Sequence, residues 1–221
     1  TDIKGYSLPV NFRIYDPADR KTKNDYFIDM LKEVLAWGLR PACVTGDAWY
    51  SSIGNLKAMK NNGLGFMFAV KSNRTVSIQK GDYQQVQSLA VPEEGITVWL
   101  HNFGYVRLYR TRLKAKLRHY VVYTPHAGVD CPSQSDFNQM HQHHWAIEEY
   151  HRALKQLCNI ERFQVRGERQ VRNHIFASIF SYSCLQAMKI TELLRSIYSV
   201  RKDALKEATW DFIKSFSEGK E

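Results

Sequence analysis

The stretch that decides the fold is residues 41–47, Pro-Ala-Cys-Val-Thr-Gly-Asp, a short apolar run that closes on a carboxylate. Such a run predicts a buried strand whose C-terminal end reaches solvent. Downstream, Ser51 or Ser52 is placed to cap a helix that ends near Gly63. Residues 66–70 then predict a second buried strand. A helix between two such strands predicts that the strands pair in parallel.

The pattern continues upstream of this unit. Residues 25–37 carry apolar side chains at helical spacing and are followed by Gly38, which ends the helix. Residues 24–71 therefore alternate helix, strand, helix and strand, which predicts an α/β layer. Residues 8–15 alternate apolar and polar side chains and contain an early proline, so they predict a half-buried strand near a sheet edge.

The rhythm changes after residue 71. Turn signals separate several strand-like stretches, which predicts a β-rich insertion of antiparallel strands over residues 72–130. The predicted strands are 75–78, 97–100, 105–110 and 119–124. After Pro132 the pattern is helical, with long periodic segments at 144–157 and 171–196 and a shorter one at 203–216. Three parts follow: 1–71 as the first part of the core, 72–130 as the insertion and 131–221 as a helical part that completes the core.

Composition points to an anionic partner. The 221 residues carry a formal net charge of +9, which the phosphate backbone of a nucleic acid would balance, although charge that serves only solubility is the alternative. The four cysteines form no close pair, which favours free thiols in a reducing cytoplasm. No apolar run approaches the roughly 18 residues of a membrane span. The chain opens within a pattern and without Met, so we expect it to be part of a longer protein.

The helix at 144–157 separates two adjacent acids. Ile147, Tyr150, Leu154 and Leu157 fall within one arc of about 80° and predict the core face. Glu148 lies on a stripe roughly 100° away from that face, whereas Glu149 points elsewhere. The other members of the stripe are three potential cations, His144, His151 and Lys155.

Three other interpretations of this helix stay open. The stripe is also typical of a solvated face with ion pairs between residues i and i+4. Glu148-x-x-His151 is half of a carboxylate-bridged di-iron motif, but the sequence holds one copy only. The histidines at 141, 143 and 144 are candidate zinc ligands, but no cysteine lies near them in the sequence.

Asp47 is the second candidate acid. Ligand sites in open α/β sheets collect at the C-terminal ends of strands, so an acid in this position is a candidate metal ligand. The alternative is an aspartate that caps the following helix. Asp47 and Glu148 are 101 residues apart in the sequence, since 148 − 47 = 101. They would share one metal site only if the β-rich insertion leaves and returns at the same edge of the sheet.

At this point the motifs resemble those of DDE-type transposases of bacterial insertion sequences, in the branch with a β insertion before the catalytic Glu. Asp47-Ala-Trp-Tyr-Ser-Ser is similar to the second-aspartate motif, and Lys71-Ser-Asn-Arg74 to the segment after the next strand. Residues 144–155 resemble the third-acid motif, in which Trp-x-Ile-Glu is followed by Lys seven positions after the Glu. Residues 163–166 and the following helix continue the similarity.

The resemblance implies an RNase H-like mixed sheet flanked by helices and three carboxylates that hold two Mg²⁺ or Mn²⁺ ions. Asp47 and Glu148 would be the second and third carboxylates. The expected chemistry is attack on a phosphodiester of double-stranded DNA, at transposon ends and target, by water or a DNA 3′-hydroxyl. A homodimer is possible for such enzymes. The residues expected to contact DNA are Lys155, Arg152, His144, His151, Lys71, Arg74, Arg166, Tyr50 and Trp49, with Trp145 as a further aromatic side chain.

The chain departs from the family pattern in two ways. His141 and His144 stand where the family often has Tyr and Arg, so phosphate binding at His144 would depend on protonation. No acid before Asp47 ends an apolar strand in the order that the first aspartate requires. We therefore expect the chain by itself to be inactive, or to be a non-catalytic DNA-binding remnant or domesticated module. A helical di-metal oxidoreductase is the third hypothesis, and the strand pattern argues against it.

Overall fold

The computed structural model describes residues 2–3, 6–79, 81–113, 115–125, 132–200, 209–210 and 213–214. The chain divides into two compact units, one built from residues 11–145 and the other from residues 1–10 and 146–221. The elements are β1 (Asp2–Ile3), β2 (Tyr6–Ser7), α1 (Lys23–Ala36), β3 (Cys43–Gly46), α2 (Ile53–Asn61), β4 (Gly65–Val70), β5 (Thr75–Ser77), β6 (Tyr83–Gln85), β7 (Ile96–Leu100), β8 (Gly104–Leu113), β9 (Lys116–Tyr123), α3 (Gln134–Gln156) and α4 (Glu168–Ile190).

The larger unit is organised around a mixed sheet of seven described strands in the order β3-β4-β9-β8-β7-β5-β6. β3 and β4 pair in parallel, and every other described pair is antiparallel. The strands of residues 72–130 therefore extend the sheet of β3 and β4. β9 returns beside β4, with Phe66 opposite Tyr123 and Val70 opposite His119.

Side chains cover this sheet on both faces. Along β4, Phe66 and Phe68 point into a core shared with α1 and α2, whereas Met67 points into a second core shared with Phe137 of α3. All three β4 side chains are fully buried. A strand buried on both faces needs a continuous apolar run, which explains why the sequence predicts the strand at residues 66–70 correctly.

The helix ends follow ordinary capping rules. Thr22 begins α1 with a capping box, since its side chain accepts from the backbone of Asp25 and Asp25 accepts from the backbone of Thr22. Ser52 begins α2, because its hydroxyl accepts from the backbone N–H of Asn55 at 3.2 Å. Gly38 follows α1 with φ of +82°, a conformation that glycine adopts without strain.

The smaller unit packs the second half of α3 against α4. Ala153 and Leu154 of α3 and Tyr182 of α4 form its buried cluster. The rings of Tyr150 and Tyr182 meet edge to face, with centroids 4.8 Å apart. The short hairpin of β1 and β2 belongs to this unit, and β2 lies against α4.

The sequence predicted this α/β order, but several boundaries differ. Residues 8–15 do not form a strand, so that prediction is wrong. Instead, the side chains of Asn11 and Arg13 both bond to Glu33 of α1, which holds the segment against a helix without backbone pairing. α3 begins at Gln134, ten residues before the predicted segment. The predicted helix at 203–216 lies mostly outside the described residues.

Candidate active site

Asp47 lies directly after β3, on the exposed side of a tight turn. Its Oδ1 accepts the backbone N–H of Trp49 at 2.9 Å, and its carbonyl accepts the N–H of Tyr50 at 3.2 Å. This turn fixes the carboxylate at the C-terminal end of a parallel strand. Asp47 does not cap the following helix, because Ser52 does so. The capping alternative for Asp47 is therefore wrong.

Two lysines flank the exposed indole beside Asp47. Trp49 is 65% exposed. The ammonium of Lys23, from the first turn of α1, lies 5.2 Å from the ring centroid of Trp49. The ammonium of Lys71, from the turn after β4, lies 5.5 Å from the same centroid. These are cation–π distances, and they bring two positive charges to the indole that lies two residues after Asp47.

The neighbouring predicted residues are more buried. Tyr50 packs against the core, with its ring 5.5 Å from that of Phe27. Burial raises the pKa of Tyr50, and the charge of Asp47 raises that pKa further. Arg74 donates its backbone N–H to Lys71 and is half-buried, and burial lowers the pKa of its guanidinium. The structure thus brings Asp47, Trp49 and Lys71 together, with Tyr50 and Arg74 set behind them.

Lys23 is the residue of this site that the sequence interpretation missed. It lies in the first turn of α1, where its charge alone gives no signal. Its position beside Trp49 follows only once α1 has packed on the sheet.

The first half of α3 packs on the sheet face opposite α1 and α2. Phe137 is 1% exposed, and its ring stacks on Tyr109 at a centroid distance of 4.2 Å. His141 Nε2 lies 3.3 Å from the hydroxyl of Tyr120. Burial lowers the pKa of His141, and the charge of Arg118 lowers that pKa further. Both predicted departures from the family pattern, His141 and His144, are thus partly buried against Tyr120.

The second half of α3 carries Glu148 on an exposed face. Of the predicted core face, Tyr150, Leu154 and Leu157 pack into the smaller unit, but Ile147 is 38% exposed and Ala153 is buried in its place. The core face is therefore turned farther from Glu148 than predicted. Burial raises the pKa of Tyr182 of α4, and the charge of Glu149, which is also exposed, raises that pKa further.

The remaining predicted DNA contacts lie in the smaller unit. His151 and Arg152 are exposed on α3. Lys155 forms an exposed ion pair with Glu161 at 2.6 Å, which is worth at most about 1 kcal/mol and yields readily to a phosphate. Arg166 lies in the loop before α4, where every residue from 161 to 170 is exposed.

No group of three His, Cys, Asp or Glu side chains in the described part of the chain is arranged to hold a metal ion. Oxygen donors are nevertheless what Mg²⁺ and Mn²⁺ prefer, and the exposed carboxylates of Asp47 and Glu148 fit that chemistry. Three of the four cysteines, Cys43, Cys158 and Cys184, are free thiols as expected, and Cys131 lies outside the described residues. The helices that the structure describes include none apolar and long enough to span a membrane.

A mixed α/β sheet with a carboxylate at the end of its parallel strand, followed by two long helices, is the RNase H-like arrangement that the sequence predicted. Comparison with protein families identifies the chain more closely. It matches the transposase DDE domain over residues 5–184, and the chain belongs to that family. The match supports DNA transposition in general, within a family that generally uses divalent metal ions. None of the curated proteins compared with the chain matches it.

Proposed function

We propose that the chain takes part in metal-dependent cleavage and strand transfer of double-stranded DNA at transposon ends, with Asp47 and Glu148 as metal ligands. The observation that carries this proposal is the exposed carboxylate of Asp47 beside Trp49 and two lysines. Ser52 caps α2, so the helix does not need Asp47 as a cap. An exposed carboxylate that a tight turn holds at a strand end is a candidate for chemistry.

The residues around Asp47 suit a DNA end. Lys23 and Lys71 are positioned to bind phosphates, and both can leave the indole at little cost because exposed cation–π contacts are worth only about 0.5–1 kcal/mol. Trp49 then offers its exposed face to an unpaired base. Tyr50 supports the turn through its packing on Phe27 and is a weaker candidate for stacking.

Glu148 would bind a metal ion, and its neighbours on α3 would bind DNA phosphates. Glu148 is exposed on a helix whose next turns pack into the core of the smaller unit through Leu154, which fixes the backbone that carries the carboxylate. His151, Arg152 and Lys155 are exposed along the same stretch and would bind phosphates. When bound, Mg²⁺ or Mn²⁺ supplies charge neutralisation at the attacked phosphate and activates the nucleophile. His144 would contribute a weak contact, only when protonated.

We further propose that these residues alone do not cleave DNA, because none of the acids before Asp47 whose side chains the structure describes lies at the end of a strand of the sheet. Asp16 and Asp19 belong to a short 3-10 turn at Pro17–Asp19 and its cap, and Asp25, Asp29 and Glu33 lie in α1. The same observation favours the second candidate function, a DNA-binding module without catalysis. A bacterial, cytoplasmic protein that acts as a homodimer on paired DNA ends is part of the first proposal.

Titration with Mn²⁺, followed by calorimetry, tests the metal assignment. Asp47→Asn and Glu148→Gln should each weaken Mn²⁺ binding about tenfold or more, which corresponds to at least about 1.4 kcal/mol. Glu149→Gln and Asp82→Asn are matched controls, since both acids are exposed and lie outside the proposed site. An unchanged titration in Asp47→Asn would show that the site is assigned wrongly. Loss of binding in all four variants would show that the ion binds only by overall charge.

A further inference from the structure

The strongest positive segment of the chain lies outside the proposed active site. Residues 95–129 contain four arginines and two lysines and no acid. Five of these cations, at positions 110, 112, 114, 116 and 118, fall in nine consecutive residues around the turn between β8 and β9. The chain as a whole has a net charge of +9, so most of its excess charge is concentrated in one hairpin.

This hairpin extends beyond the sheet. β7 pairs with β8 as far as Leu108, and β4 pairs with β9 from His119 onward. In the described structure, the rungs from Thr111 opposite Arg118 to Leu113 opposite Lys116 pair only with each other, whereas His119 also pairs with Val70 of β4. Three rungs at about 3.4 Å per residue make a free two-stranded ribbon about 7 Å long. Arg110 lies at its base, and we call residues 110–113 and 115–118 the basic ribbon.

The cations of the basic ribbon occupy both of its faces. Residues opposite each other on an antiparallel pair point to the same side, so Arg110 and Arg112 share the face of His119, and Lys116 and Arg118 share the other face. Arg110, Arg112, Lys116 and Arg118 are all exposed. None of these four forms an ion pair with a described carboxylate.

Besides burial, the charges of Arg110 and Arg118 lower the pKa values of two histidines. Burial lowers the pKa of His119, and the neighbouring charge of Arg110 lowers that pKa further. The charge of Arg118 acts in the same direction on His141. Cations on neighbouring strand positions that have no described acidic partner repel each other in the free protein, and a polyanion relieves that repulsion.

We propose that the basic ribbon is a second contact with duplex DNA, inserted into a groove with cations of both faces against the phosphates. A two-stranded ribbon fits the major groove, which is about 12 Å wide. The cations of the ribbon are not among the residues that we assign to the chemistry, so the ribbon would hold the duplex without taking part in cleavage. This inference rests on the proposed function only in taking DNA as the partner.

An ordinary structural role competes with this proposal. Charged side chains on exposed strands also prevent edge-to-edge association of sheets. A ribbon that serves only this purpose needs charge but no groove and no phosphate. Binding measurements separate the two roles.

The test is fluorescence anisotropy of a labelled 30-base-pair duplex with the 221-residue protein across a KCl series. Each phosphate contact contributes about 0.9 to the slope of log K against log salt, which is about eightfold in affinity at 0.1 M salt. Arg112→Gln with Arg118→Gln, one cation from each face, should reduce the slope by about 1.8 and the affinity by about 60-fold. Arg112→Lys with Arg118→Lys should retain most of the binding.

The matched control removes the same charge elsewhere. Lys32 and Lys57 are exposed on α1 and α2, and changing both to Gln should alter the affinity less than threefold and leave the slope unchanged. Circular dichroism and the melting temperature establish that each variant is folded. A ribbon variant that binds like this control would overturn the proposal, as would a wild-type protein that does not bind duplex DNA.

Binding of single-stranded DNA and binding of Mn²⁺ give two further tests. A single strand of the same length should bind more weakly than the duplex, and the glutamine ribbon variant should remove that preference; equal binding of both forms by the wild type overturns insertion into a groove. The ribbon variants should also bind Mn²⁺ like the wild type. Failure of the ribbon proposal and failure of the metal site at Asp47 and Glu148 are therefore seen in different measurements.

Discussion

The anchoring of α3 on the sheet gives the prediction whose magnitude follows most directly from the structure. Phe137 is 1% exposed, and its ring stacks on that of Tyr109 with the centroids 4.2 Å apart. The ring centroid of Tyr120 lies 5.9 Å from that of Phe137. Replacing a buried Phe by Ala removes its transfer free energy and leaves a cavity, which together cost about 3–5 kcal/mol. Phe137→Ala should lower the free energy of unfolding by that amount. For a chain of this size the melting temperature should fall by about 6–20 °C.

Urea denaturation followed by circular dichroism measures this loss, and hydrogen exchange locates it. Amides in the first half of α3 should exchange faster in Phe137→Ala, because that half rests on the sheet through this ring. Gln139→Ala, an exposed change on the same turn, should stay within about 0.5 kcal/mol of the wild type. The packing argument is wrong if Phe137→Ala loses less than about 1 kcal/mol or behaves like Gln139→Ala.

Two further predictions concern a cap and the pH dependence. Ser52→Ala should destabilise the protein by about 1 kcal/mol in urea denaturation. Asp47→Ala should cost less, because Asp47 does not cap α2 and water can replace its exposed bond to the N–H of Trp49; equal losses would contradict this assignment. His119 and His141 have lowered pKa values in the folded chain, chiefly through burial, so the unfolded chain binds more protons below its histidine pKa of about 6.5. The melting temperature should therefore fall as the pH is lowered from 7.5 to 5.5, and less so after His119→Gln with His141→Gln; a rise would refute the sign.

Strong local sequence patterns allowed the central strands and helix of the larger unit to be predicted. The run at 66–70 is apolar on both faces because β4 is buried between two cores, and Ser52 and Gly38 mark helix ends by ordinary capping chemistry. These signals depend on neighbours a few residues away in the sequence. They predicted β3, α2 and β4, and with them the position of Asp47 at a strand end.

Elements that depend on distant partners were predicted less well. β6, at Tyr83–Gln85, is exposed throughout, so its sequence has no apolar alternation to detect. Residues 8–15 do alternate, but the bonds of Asn11 and Arg13 to Glu33 hold them on α1. The early start of α3 is marked in the sequence by Ser133 and Asp136, which form a capping box at the first turn of the helix.

The choice of Glu148 over Glu149 stays a prediction, and the smaller unit adds an argument for it. In the second half of α3, Tyr150, Ala153, Leu154 and Leu157 form the core face. At about 100° per residue, Glu148 lies nearly opposite the centre of that face, whereas Glu149 lies about 90° from it.

At position 148 the core face of this half of α3 points away. A carboxylate can therefore stand there without the cost of burial, on a helix segment that Leu154 anchors in the smaller unit. Glu149 lies closer to the core face. An acid that must bind a metal needs both exposure and a fixed backbone, so we expect Glu148 rather than its neighbour to be the ligand.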